Sequence, residues 1–417
     1  MVSLLPFDIV VKIVFFVREW NVLLALLEAL RPMNCLGPLE SLWRLHLQNW
    51  RESNLWPILN LTNMNEASRV HIEKIAKFYS QVIVHVTTNA DWACQYIHPN
   101  AVVGMRGGCF KDLNKDMLAK WKDIRVVAID EKVFTLPNYL VYFPHLIYIT
   151  CQDCTRQMAT AIFDYAASST TLRTLEVEAC EDFTDGYSPI TSTMADNLYK
   201  WIASQPIESI TIKYFVWEVY SQRHAVVSSA LAKFSLKKLE MDEKYASGWC
   251  FVGNYDRAKK VLQLEVFDPR NYGFENLDLL IDYIGSLEPL LDTDITDLEL
   301  FDFVSEGFGD LWPLFVPMVQ RLQLEKLTVY IDNVTVADAV KVVESLQNAS
   351  TLESLSIVKL WTKLPMDVVL TLLHRVSSSV KRLPVVCEMT LIAEPYSRED
   401  SMILQDLARK RGIDLLL

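Results

Sequence analysis

The chain has 417 residues, is 51% apolar and 22% charged, and carries a formal net charge of −12 from 40 basic and 52 acidic side chains. It is too apolar for a disordered chain, and a −12 surface repels phosphate backbones, which sets general nucleic-acid binding aside. Twelve residues are glycine, about 3% against roughly 7% in average proteins, which disfavours folds that cradle nucleotides in glycine loops.

The eight cysteines are Cys35, Cys94, Cys109, Cys151, Cys154, Cys180, Cys250 and Cys387. They are spread along the chain rather than set in a small disulfide framework. Met1 to Val17 is apolar, but Asp8 and Lys12 interrupt it. No basic stretch precedes it and no small-residue cleavage site follows. No apolar run reaches the roughly 18 residues of a membrane span. These features predict a reduced chain, cytoplasmic or nuclear, with no membrane association. The sequons at Asn60, Asn333 and Asn348 then stand as chance occurrences.

In chain order, the first predicted element is a helix over residues 5–17. Pro6 suits a first helical turn, where its missing N–H costs nothing, and Asp8 favours the helix dipole. Leu5, Ile9, Ile13 and Phe16 fall on one side, Val10, Val14 and Val17 on another, so both sides call for cover. Trp20 to Leu30 reads as a second helix, Arg31-Pro32 as a break, and Leu39 to Trp50 as a third helix carrying Leu42, Trp43, Leu45 and Leu47. Leu5, Pro6, Ile9, Ile13 and Val17, with Asp8 in place of the usual glutamate, resemble the opening of an F-box, roughly L-P-x-E-I-x-x-x-I-x-x-x-L. Trp43-Arg44 resembles the tryptophan-arginine pair late in many F-boxes, although the later helix spacing departs from that family. The resemblance covers about 45 residues. It implies that Leu5, Pro6, Ile9, Val10, Ile13 and Val17 contact a Skp-type adaptor and, through it, a cullin ligase. The same helices, residues 1–52, would otherwise serve as a cap on whatever follows.

Residues 53–417 repeat. Trp56/Leu59/Leu61 and Ile124/Val127/Ile129 match the spacing L-x-x-L-x-L, and Val82 to Val86 and Ala101 to Met105 are strand-like. From Leu146 the pattern sharpens. Leu146 to Cys154 and Leu172 to Cys180 share L-x-x-I/L-x-C/V-x-x-C. The first six positions recur at Ile207/Ile210/Ile212, Leu236/Leu239/Met241, Val261/Leu264/Val266, Ile295/Leu298/Leu300, Leu324/Leu327/Val329, Leu352/Leu355/Ile357 and Val380/Leu383/Val385. The fourth-position anchors, Ile149 to Leu383, are spaced 26, 35, 29, 25, 34, 29, 28 and 28 residues apart, about 29 on average, within the range of leucine-rich repeats. Between them, Met194/Leu198/Trp201/Ile202, Leu277/Leu280/Ile284/Leu287, Val336/Val340/Val343/Leu346 and Met366/Val369/Leu370/Leu373 each form one helical face. The strand pattern resembles cytosolic leucine-rich-repeat proteins. That resemblance implies an α/β leucine-rich-repeat solenoid, a curved parallel inner sheet with outer helices, best defined over residues 146–390. Such repeats would leave few positions that demand positive φ, in keeping with the low glycine count.

If positions four and six point inward, positions three, five and seven line the concave face. These include Glu176, Glu178, Glu240, Asp242, Glu265, Asp297 and Glu299, beside an aromatic strip of Phe267, Phe301 and Tyr330. An acidic face with exposed aromatics suggests a binding surface for a protein target with a basic patch. The alternative is a solvated acidic face on an acidic protein.

Catalytic patterns are not found. Cys151-x-x-Cys154 has no second pair at zinc spacing, and the seven histidines form no metal motif. Gly104 to Gly108 has no Lys-Ser/Thr behind it, and no G-x-S-x-G occurs. No catalytic residue, metal or cofactor is predicted. The expected function is a non-catalytic protein-binding adaptor, by resemblance a substrate-receptor subunit of a cullin-type ubiquitin ligase. The alternative is a repeat scaffold or inhibitor without ligase recruitment. A hydrolase hidden in the array has no support from motifs.

Overall fold

The computed structural model describes residues 7–33, 35–85, 87–107, 115–131, 139–179, 189–242, 251–266, 295–301, 308–331, 341–342, 344–346, 352–360, 366–380, 386–392 and 396–416. The protein is α/β, with a large, mostly parallel sheet whose strands follow one another in chain order. The chain divides into two compact units, Met1–Val177 and Glu178–Leu417. No helix among the described residues is long and apolar enough to cross a membrane.

The first unit opens with helices α1 (Phe7–Phe16), α2 (Trp20–Leu30), α3 (Leu39–Leu47) and α4 (Glu52–Leu55). Strands and helices then alternate: β1 (Leu59–Asn60), α5 (Glu66–Ile75), β2 (Gln81–His85), α6 (Ala90–Tyr96), β3 (Val102–Arg106), α7 (Lys115–Lys120), β4 (Val126–Glu131), β5 (Tyr148–Cys154), α8 (Arg156–Ser168) and β6 (Thr174–Ala179), the last running across the unit boundary. β1 to β5 pair in parallel, each with the next. Local chemistry sets the helix starts. The Asn65 side chain accepts the Ser68 N–H, Asn89 accepts those of Asp91 and Trp92, and Thr155 accepts that of Met158. Each satisfies donors that a helix N-terminus leaves free.

The boundary expected at residue 52 does not separate two bodies. The Phe15 ring of α1 lies 5.0 Å from those of Trp56 and Tyr79, and Trp56 Nε1 donates to the Val17 carbonyl at 2.9 Å. Val10, Val11 and Val14 are buried. The apolar inner side of α1 is therefore covered by residues around the first strand, and the helical head belongs to the first unit.

The second unit continues with β7 (Pro189–Ile190), α9 (Ser192–Ser204), β8 (Ser209–Lys213), β9 (Val216–Trp217), α10 (Tyr220–Leu231), β10 (Lys238–Asp242), β11 (Phe251–Asp256), β12 (Val261–Val266), β13 (Asp297–Phe301), α11 (Phe308–Arg321), β14 (Lys326–Ile331), β15 (Ser354–Leu360), α12 (Met366–Val380), β16 (Val386–Ile392), α13 (Arg398–Lys410) and β17 (Ile413–Leu416). β7 and β9 form a small separate parallel pair. β8 pairs in parallel with β10, and β12 through β17 pair in parallel in order. The core lies at alternate strand positions: Ile210, Ile212, Leu239, Met241, Leu298, Leu300, Leu327, Val329 and Leu355 are all buried.

One strand is added to the expected repeats and three anchors shift. β11 is antiparallel to both β10 and β12, where the sequence pattern supplies no strand between Leu239 and Leu264. Leu262, not Leu264, aligns with Leu298, and Cys387, not Leu383, aligns with Leu355. Val380 closes helix α12, and Leu383 lies outside the described residues. Likewise Ile129, not Val127, aligns with Ile149. Each shift is by an even number of residues, so the inward and outward sets keep their sides and the hydrophobic pattern alone cannot detect it. A further strand, β17, lies past residue 390.

Candidate protein-binding site

The residues singled out from the sequence fall in two places, the first helix and the sheet. On α1, Ile9 is 43% exposed, Ile13 44% and Phe16 85%. Two of the six residues expected to meet an adaptor are thus open, Ile9 and Ile13. Val10 is not: it is buried beside Val14, because the inner side of the helix is the one turned toward the rest of the unit. Val17 is half-buried, and its carbonyl is taken by Trp56. Leu5 and Pro6 lie outside the described residues.

On the sheet, the acids sit at outward register positions, and the side chains of Glu176, Glu240, Asp297 and Glu299 already have partners. In the first unit, Glu176 Oε2 accepts the Tyr148 hydroxyl at 2.8 Å and the Thr150 hydroxyl at 3.3 Å. Burial and the Glu176 carboxylate push the Tyr148 hydroxyl up to about 12, against an opposing hydrogen bond from Thr150. In the second unit, Glu240 lies between two ammonium groups, Lys213 on β8 and Lys238 on its own strand, the latter at 2.6 Å. Its side chain is 16% exposed. Burial opposes its ionisation, but the two lysines outweigh that and hold the carboxyl below the usual carboxylate range. Burial opposes the charge on Lys213, but Glu240 outweighs it and raises the ammonium above its ordinary value, with Glu178 adding to the field. Asp297 faces Lys326 across β13 and β14 at 3.4 Å. Glu299 accepts from Gln263 Nε2 at 2.8 Å.

Lysines are set among the selected carboxylates. Among the described side chains of the second unit, Glu240 meets Lys213 and Lys238, Asp297 meets Lys326, and Glu178 lies in the field of Lys213, while Glu299 is taken by Gln263. The lysines occupy positions three and seven of the same pattern, so interleaving is built into the repeat and relieves the like-charge repulsion expected of adjacent acidic strands. Glu265 does not share the position of Glu299: it pairs with Phe301, and Gln263 takes the place beside Glu299. The strands of Glu240 and Glu299 are themselves separated by β11 and β12. Asp242, Glu265 and Phe301 are located by their backbone alone, and Phe267 lies outside the described residues. Tyr330 is half-buried on β14, its hydroxyl pushed up by burial and then by Glu299. The strip between the larger side chains is small and buried: Thr211, Thr328 and Ser356.

Cys151 and Cys154 are buried thiols on β5. Burial and then the neighbouring Cys151 raise the Cys154 thiol well above its ordinary value, which leaves it a poor nucleophile at neutral pH. Among the described residues no cluster of His, Cys, Asp and Glu could hold a metal ion. Compared with protein-family models and with curated proteins, the chain matches none.

Proposed function

We propose that the protein is a non-catalytic substrate receptor of a cullin-type ubiquitin ligase, built as an F-box-like head followed by a leucine-rich-repeat solenoid. The observation that carries this reading is the division of α1. Its inner side, Val10, Val11 and Val14, is buried, while Ile9, Ile13 and Phe16 form an apolar side open to solvent. Apolar side chains of that size cluster on a surface when a partner covers them, and their positions fit the F-box resemblance. The in-register strands, with Leu298, Leu327 and Leu355 aligned, support the solenoid part. In this role the head holds a Skp-type adaptor, the array holds the target, and the effect is to raise the effective concentration of target lysines near the transferase. The three lysines set among the seven selected acids suit a target surface that carries some acidic groups beside its basic patch.

A second reading, a repeat scaffold or inhibitor whose helical head is only a cap, is favoured by the packing of Phe15 on Trp56 and Tyr79, which ties the head to the first strand. Adaptor capture by the full-length chain separates the two, since a fragment ending at residue 52 would lose those contacts. Wild type is expected to retain a Skp-type adaptor, and Ile9→Asp with Ile13→Asp to lose it with little change in melting temperature, because both side chains are exposed. A wild-type chain that retains no adaptor leaves only the scaffold.

A further inference from the structure

A cleft of 410 Å³ lies against α8 with Asp164 as its one charged side chain, and another of 390 Å³ at the end of the second unit sets Arg409 beside Asp414. A third holds a single cation, Arg69, among neutral hydrogen-bonding side chains. It has a volume of 400 Å³ and lies at the carboxyl ends of β1 and β2. Arg69, His85, Thr88, Asn89 and Trp92 contribute its polar wall, and Leu61 and Met64 an apolar one. The wall contains no carboxylate, in a chain with 52 acidic residues.

The donors in this wall are held in place from behind. Glu73 Oε1 accepts from Arg69 Nε and from Trp92 Nε1, both at 2.9 Å. The guanidinium is thereby fixed through Nε alone, and its two terminal nitrogens keep their donors. His85 is fixed by the turn that follows it. Its Nδ1 accepts the Thr87 N–H at 3.2 Å and lies 2.7 Å from Thr87 Oγ1. An acceptor at Nδ1 puts the imidazole proton on Nε2, which becomes a donor. Gly107, at φ +72°, keeps the other edge of the ring clear: a Cβ there would come within 3.2 Å of His85 Cδ2. The Asn89 side-chain oxygen is spent on capping α6, so its amide nitrogen is the group left to donate. The N–H groups of Asp91 and Trp92 are used by that cap.

We propose that this cleft binds a phosphate monoester, with Arg69 carrying the charge-assisted contact and His85 Nε2, the Thr88 hydroxyl and the Asn89 amide completing the ring of donors. A divalent cation is disfavoured because the one carboxylate nearby, Glu73, is taken by Arg69 Nε and Trp92 Nε1. A phosphate is favoured by the free terminal nitrogens of that guanidinium among neutral donors. The volume exceeds that of the bare ion, so Leu61, Met64 and the Trp92 ring would meet an organic carrier. The inference stands apart from the ligase reading, since it needs no adaptor.

Calorimetric titration of the full-length chain at low ionic strength, with inorganic phosphate in one arm and phenyl phosphate in the other, tests it. Saturable binding of phenyl phosphate is expected, tighter than inorganic phosphate if the apolar wall is used and equal to it if recognition stops at the phosphate group. Arg69→Gln is expected to weaken binding by about tenfold or more, as the loss of a charge-assisted hydrogen bond implies. Thr88→Val, which keeps the side chain's shape, should weaken it several-fold and decides the matter if Arg69→Gln does not fold. Absence of saturable binding by both probes, or wild-type affinity in folded variants, overturns the proposal.

Discussion

Tyr79 and Thr328 place buried hydroxyls in opposite situations. The Tyr79 hydroxyl donates to the Leu55 carbonyl at 2.7 Å in the interior of the first unit. Removing it in Tyr79→Phe keeps the ring against Phe15 and Trp56 but strands that carbonyl, which should cost about 1–3 kcal/mol. The Thr328 hydroxyl is buried with no partner among the described residues. Thr328→Val keeps the shape and removes a desolvated group, so it should raise stability by about 1 kcal/mol. Urea midpoints of the two variants are the measurement. A Thr328→Val protein less stable than wild type would mean that this hydroxyl is hydrogen-bonded after all. At this scale the sequence is least legible. The lysines that neutralise Glu240 and Asp297 are visible in the repeat pattern, but their pairing depends on which strands are neighbours. The low glycine count has a similar lesson. Positive φ occurs at Asn49, Asp153, Tyr214 and Lys260 as well as at Gly37, Gly107 and Gly412. The fold does demand left-handed positions, and it fills several of them with side chains that tolerate them less well than glycine does.

At the scale of elements, helix α11 is one that periodicity does not pick out. It runs from Phe308 to Arg321 with Pro313 and Pro317 inside it, and proline reads as a helix breaker. Tertiary packing overrides that propensity: Trp312, Phe315, Met318 and Val319 are buried on one face, while both prolines are exposed. Pro317 cannot donate to the Pro313 carbonyl one turn earlier. Pro317→Ala restores that bond at a site that buries nothing, and is expected to stabilise the protein by about 1–3 kcal/mol. A melting temperature unchanged or lowered would show that the helix is bent around the proline and gains nothing from alanine. The strands themselves are better marked, since a period of two over a buried face is a strong signal. What that signal leaves open is register in steps of two, which is where Leu262, Ile129 and Cys387 displace the expected anchors.

For the whole molecule, the length suggested either several domains or one continuous array, and the contacts divide the chain at Val177 and Glu178. Tryptophans report on both units, with Trp20, Trp43, Trp50, Trp56, Trp92 and Trp121 in the first and Trp201, Trp217, Trp249, Trp312 and Trp361 in the second. A chain of this size with nearest-neighbour stacking of strands should not unfold in one step. Urea unfolding followed by tryptophan fluorescence and by far-ultraviolet circular dichroism is expected to give non-coincident transitions. Ile149→Ala, at a buried position of the first unit, should move one of them by about 2–5 kcal/mol and leave the other in place. A single coincident transition in both proteins would make the two units one cooperative body. The division was not legible because the strand pattern runs across it unbroken, through β6.

The antiparallel strand β11 also bears on how the second unit can assemble. Every parallel pair in the sheet joins strands separated by an intervening stretch of chain, so its first contact closes a long loop. β11 and β12 are joined by the four residues 257–260, held by the Lys259 N–H on the Asp256 carboxylate and the Lys260 N–H on the Arg257 carbonyl. Loop-closure entropy rises with loop length, and hairpins form faster than non-local pairings. The strand that breaks the parallel pattern therefore gives the unit its most local pairing, a template edge on which β10 and β13 can zip from either side.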